Sequence, residues 1–197
     1  MLKVGSFAIL LLLPFVASAD LMEQELVAAA LERTNYSVSY DGSYYSIAYP
    51  GGDVPGDVGV CTDVIIRAYR TIGVDLQRLV HEDMAENFDS YPSKRIWGLE
   101  KPDSNIDHRR VPNLQVFFAR YGTEIPISDN AGTFLPGDIV TWMLPGNLPH
   151  IGIITDQFDP ATGNPLVVHN IGAGPKLENM LFSYELTGHY RYLLETP

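Results

Sequence analysis

The sequence predicts an α+β fold in which N-terminal helices pack on a C-terminal antiparallel sheet. Two observations carry the prediction. Between residues 21 and 122 apolar side chains recur at three- and four-residue steps, the period of a helix buried on one face. After Pro136-Gly137 the pattern changes to four short β-branched runs, DIVTWML, HIGIITD, PLVVHNIG and GHYRYLL, each bounded by Pro, Gly or Asn. Short strands that follow one another with no helix between them pair antiparallel, which separates helices from sheet along the chain.

Taken in order, residues 1–19 read as an export signal. Lys3 precedes the apolar run Phe7 to Val16, and Ala17-Ser18-Ala19 is a small-residue cleavage site. The alternative is an uncleaved N-terminal anchor. Residues 20–197 suit a single domain, and no later stretch is apolar for long enough to span a bilayer. The expected location is periplasmic or extracellular, without stable membrane insertion.

LMEQELVAAALERT, from Leu21, is rich in helix formers and puts Leu21, Glu25, Ala28 and Leu31 or Glu32 at helical spacing. Tyr36 to Asp57 alternates tyrosine with serine and then breaks at Pro50-Gly51-Gly52 and Pro55-Gly56, a shaped loop that keeps a helix from starting early. A helix from about Val60 to Ile72 follows, with Cys61, Val64, Ile65, Ala68 and Ile72 on one face and Gly73 as its stop. A second starts at Asp75. Residues 89–110 read as a long ordered loop, and VPNLQVFFARYG as a short helix closed by Gly122.

The formal net charge of −11 repels a polyphosphate backbone, so nucleic acid is a poor partner. Cys61 is the single cysteine, which excludes an intramolecular disulfide. A buried inert residue, an intermolecular bridge, a metal ligand or a reactive nucleophile remain, and cysteine count alone favours the first.

Position adds to the case for chemistry. The first turn of a helix favours the thiolate through its unpaired N–H groups, Gly59 would let main chain approach a substrate, and the Cys61 N–H would face an oxyanion. A base must then stand beside the thiol. Of five histidines, His150 opens HIGIITD after Pro149, and His169 lies in the next strand, where a hairpin would bring the two together. One would take the thiol proton while the other orients its ring.

His81 and His108 read as solvated or structural, with His189 ranked below His169. Asp63 lies about 200° round the helix from Cys61, so a structural bond to a loop or to Arg67 is expected, and Asp138 would tie a turn. Asp53 could bind a substrate ammonium group. Arg67, Arg109 and Arg110 are candidates for substrate carboxylates. Cys61, His150, His169 and His189 would suffice for zinc in number, but they form no close ligand pair, and no metal or other cofactor is expected. GGDVPGDVG lacks the ending of a phosphate loop.

A cysteine heading a helix, a PGDIV strand, then HIGII and a further histidine one strand later resemble the NlpC-type cell-wall peptidases of the papain-like clan. More closely, YPGGDVP, GVCTDVIIRAYR, DHRRVPNL, LPGDIVTW, PHIGIIT and VVHNIGAGP resemble the exported DUF1287 family, from about Tyr40 to Arg191. The resemblance implies a papain-like fold with Cys61 as nucleophile, His150 as base, His169 orienting His150, and Tyr49 as the match for an upstream tyrosine that lines the site. It also implies peptidoglycan or another peptide as substrate, cut in the stem peptide. The alternatives are a wall-binding module without turnover, and a thiol acyltransferase or amidase on another substrate.

Overall fold

The computed structural model describes residues 17–193, with side chains from residue 21. The expected export signal, residues 1–19, therefore lies outside the described residues, apart from the main chain of residues 17–19. Among the described residues, no helix is long and apolar enough to cross a membrane.

Helix α1 (Ala17–Glu32) forms where helix formers predict it, but with a different buried stripe. Leu26, Ala29 and Ala30 are buried, whereas Leu21 is 55 % exposed and Glu25 and Ala28 are exposed too. An alanine-rich helix offers two weakly apolar faces, and packing on the rest of the fold selects one. The tyrosine-rich segment then contributes a two-residue strand β1 (Ser39–Tyr40), which pairs in parallel with β2 (Val58–Gly59) and sets Tyr40 opposite Gly59.

Helix α2 (Cys61–Thr71) is buried on every side from Cys61 to Tyr69, so even Arg67 is inside. Helix α3 (Leu76–Asn87) is capped by the Asp75 side chain, which accepts from Arg78 N–H. The stretch expected as a loop holds a short helix α4 (Ser93–Trp97), stopped by left-handed Gly98, and a 3₁₀ turn over Asp107–Arg109. Helix α5 (Val111–Tyr121) carries Pro112 in its first turn, where its missing N–H costs nothing.

The sheet comprises β3 (Thr123–Glu124), β4 (Ile139–Leu144), β5 (Leu148–Phe158), β6 (Pro165–His169), β7 (Lys176–Glu178) and β8 (Glu185–Arg191). Its order is β3-β8-β4-β5-β6-β7, all antiparallel. The four expected strands are present, and the last one returns to pair with β4 rather than β6. Period-two alternation divides the apolar residues between the two faces. Ile139, Ile151, Ile153 and Val168 join the helices and Cys61 in the larger core, while Val140, Trp142, Ile154 and Val167 pack with Phe134 and Leu181 in the smaller one.

Candidate functional site

Cys61 is the first residue of α2. The turn before it is fixed from within the helix, because Asp63 accepts a 2.6 Å hydrogen bond from Val60 N–H. Both Asp63 oxygens also receive Arg109, Nε and Nη2 at 2.9 Å each, in a buried bidentate pair. Gly59 serves this cap: a Cβ there would lie 3.2 Å from the Asp63 side chain. The small residue is thus required by Asp63 rather than by a substrate.

The Cys61 side chain is 5 % exposed and lines a cleft of about 460 Å³ with Tyr40, Tyr44, Trp97, Arg110 and Pro149. Burial pushes the thiol up to about 12. The main-chain N–H groups of Ile151, Thr62 and Cys61 itself act in the opposite direction, without offsetting the loss of water. A helix N-terminus alone therefore does not give a thiolate here. Tyr40 faces the sulfur, and its phenol is also raised to about 12, first by burial and then by the neighbouring Cys61.

His150 Nε2 lies 3.1 Å from His169 Nδ1, with the two rings perpendicular. Strand geometry explains the contact. Gly152 is directly opposite His169, so His150 is its diagonal neighbour on the same face, and the absence of a side chain at 152 leaves that diagonal open. A Cβ on Gly152 would stand 2.7 Å from Val167 Cγ1 and 3.2 Å from His169 Cβ. On the far side of His169, Glu178 Oε2 is 3.2 Å from Nε2, off the line of a well-formed hydrogen bond.

The position of Glu178 beside His169 Nε2 favours one tautomer of the pair. An N–H at His169 Nε2 is favoured by the Glu178 carboxylate, which leaves Nδ1 to accept from His150 Nε2–H, and His150 Nδ1 then keeps its lone pair. Nδ1 makes no hydrogen bond among the described residues, which suits a base. Burial, and then the His169 charge, lower His150 to about 3; burial likewise lowers His169, against the pull of Glu178.

The thiol faces the main-chain amide of Ile151, the residue that follows His150 in β5. Among the described residues no hydrogen bond joins Cys61 to either ring, and His150 packs beside Trp142, with ring centroids 5.9 Å apart. The structure thus pairs the two predicted histidines and sets the predicted cysteine at the adjoining residue, with both halves neutral.

Tyr49 does not line this cleft; it is 43 % exposed and packs edge-on against His81. The tyrosine at the sulfur is Tyr40, and it reaches there through the β1–β2 pairing. Asp53 is occupied by Arg67 Nε at 3.0 Å and Arg70 Nη1 at 2.8 Å, which leaves it ill-suited to an ammonium ligand and gives Arg67 a partner other than Asp63. Arg109 is spent on Asp63 and on the carbonyls of Ser43 and Asp41. Arg110 stays on the cleft wall. His189 lies elsewhere, with Nε2 2.7 Å from Asp138 Oδ2 and its ring stacked on Phe134. Asp138 also accepts from Leu135 N–H and Arg191, as a turn-tying residue does. Among the described residues, no group of three His, Cys, Asp or Glu side chains is arranged to hold a metal ion.

Comparison with known proteins adds three findings. A family model described as a domain of unknown function, DUF1287, matches residues 27–192. Uncharacterized protein YijF of Escherichia coli (strain K12) is 52 % identical over 166 residues, which cover 84 % of this chain and 80 % of YijF. The solved structure of NlpC1 from Trichomonas vaginalis matches with a TM-score of 0.47 and 16 % identity over 88 % of this chain; this chain spans 45 % of that one.

Proposed function

The chain belongs to the DUF1287 family, and from that premise we propose that it is an exported cysteine hydrolase cutting an amide bond in peptidoglycan stem peptides. The observation that supports this reading is the cleft-lining thiol at the head of α2, whose sulfur meets the amide of the residue after His150, itself paired with His169.

Since both partners are neutral in the free protein, attack couples to proton transfer rather than starting from a preformed ion pair. Cys61 Sγ moves off the Ile151 amide and bonds to the substrate carbonyl carbon while its proton passes to His150 Nδ1. The carbonyl electrons go to oxygen, where the Cys61 N–H and the Tyr40 phenol are the available donors. Collapse expels the amine, which takes the proton from His150, and water releases the acyl group from sulfur. His169 holds the ring of His150, and Glu178 holds the tautomer of His169. No cofactor enters this scheme.

A wall-binding module without turnover is the second reading, and the deep burial of the neutral thiol favours it. Incubation with purified peptidoglycan separates the two: soluble peptide fragments support the hydrolase, retention on the wall without fragments supports the binder. A panel of lipid and protein amides tests acyl transfer in the same format.

A further inference from the structure

The cleft has a charge character at odds with the rest of the molecule. The chain has 24 acidic against 13 basic residues, yet the charged residues that line the Cys61 cleft are Arg109 and Arg110, with no carboxylate among them. The two arginines differ in availability. Arg109 is committed to Asp63 and two carbonyls. Arg110, the residue before α5, lays its guanidinium 4.1 Å over the ring of Trp97 and makes one hydrogen bond, 3.3 Å from Nη1 to Asp107 Oδ1.

Of its five N–H groups only one makes a contact, and a long one, so most of the fork has no hydrogen-bond partner among the described residues. The nearby carboxylates, Asp107 and Asp103, attract this cation less than burial penalises it, so Arg110 is lowered from its usual value. Asp107 also accepts from Asp103 N–H and so gives Arg110 a shared partner. Stacking on Trp97 fixes the plane of the guanidinium, and a planar two-pronged anion is the group that matches a fixed fork.

We propose that Arg110, held flat on Trp97 in the wall of the Cys61 cleft, is the binding point for a substrate carboxylate, so that the amide presented to Cys61 belongs to an acidic peptide. The assignment rests on the hydrolase reading for its substrate class and deepens it. The carboxylate comes from an acidic side chain or from a free chain terminus, and both present the same planar anion.

The test uses the full chain with Cys61→Ala, which removes turnover and keeps the cleft. Three blocked dipeptides are titrated: acetyl-alanyl-alanine with a terminal carboxylate, acetyl-alanyl-glutamic acid α-amide with a side-chain carboxylate, and acetyl-alanyl-alaninamide with none. Trp97, 37 % exposed beside Arg110, reports binding through its emission, against the constant background of buried Trp142. At least one acidic probe is expected to bind on the order of tenfold more tightly than the neutral one, the scale of one charge-assisted pair. Which acidic probe binds distinguishes the two sources. Adding Arg110→Gln brings the acidic and neutral probes to parity, and Arg110→Lys, which keeps the charge without the fork, retains part of the preference. If Arg110→Gln fails to fold, the Lys variant alone decides, by whether the preference shrinks. Equal binding of all three probes, or a preference that survives at position 110 without Arg, overturns the assignment. Because binding is read without turnover, either result is independent of whether the unaltered protein cleaves peptidoglycan.

Discussion

His150 Nε2 and His169 Nδ1 stand 3.1 Å apart across two neighbouring strands because the residue between them in the ladder is Gly152. Gly152→Ala forces a Cβ to within 2.7 Å of Val167 Cγ1 and 3.0 Å of the Val168 carbonyl. The strands must separate there, and the histidine pair opens with them. We expect a loss of about 1–3 kcal/mol in stability, the usual scale of overpacking, and a fall in kcat larger than His169→Asn causes. Denaturant titration and the rate on peptidoglycan measure the two effects.

Tyr40→Phe removes the phenol facing Cys61 and keeps the ring that lines the cleft. A reduction in kcat of about 100-fold with an unchanged denaturation midpoint is expected for a lost oxyanion donor. The same rate as wild type would confine Tyr40 to packing.

Asp63→Ala leaves the Arg109 guanidinium buried without its carboxylate and uncaps Val60 N–H. Breaking one side of a buried pair costs about 3–5 kcal/mol. The change should appear as a lower urea midpoint, and activity should fall with it because the turn that presents Cys61 is lost.

Stability should decline in mild acid. His150 and His108 are each lowered to about 3 from an ordinary 6.5, and His169 is lowered too, all by burial first. A depressed histidine pKa means that the unfolded chain binds more protons, so the contribution of these residues is complete above about 6.5 and is lost as pH falls toward 3. Asp107, raised to about 6 by burial, acts the other way between about 4 and 6, one group against three. Thermal midpoints should drop from pH 7 to pH 4, and a flat profile would contradict the burial of the neutral imidazoles.

Much of this was readable in the sequence where the cause is local. Two turns of Pro and Gly before Cys61 make it the head of a helix, and HIGIITD followed by PLVVHNIG reads as a hairpin able to bring His150 and His169 together, given the register that sets Gly152 opposite His169. What was not readable depends on contacts distant in sequence or on short elements. Tyr40 reaches the sulfur through a two-residue parallel pairing that carries no periodic signal, whereas the resemblance alone points to Tyr49. Glu178 sits on a three-residue strand, KLE, too short and polar to read as one. Asp63 finds Arg109 46 positions away, a partner that helical spacing cannot reveal. The thiol pKa depends on how much water packing removes, which outweighs the helix terminus.

The measurement that bears most directly on the central claim is release of peptide fragments from purified peptidoglycan, read by mass spectrometry for the unaltered chain, Cys61→Ala and His150→Ala in parallel. The unaltered chain is expected to generate new peptide termini at one kind of bond. Cys61→Ala should generate none, with a thermal midpoint within a few degrees, and His150→Ala should be at least 100-fold slower. Undiminished release by Cys61→Ala, or no release by any of the three, would contradict the assignment of position 61 as the nucleophile.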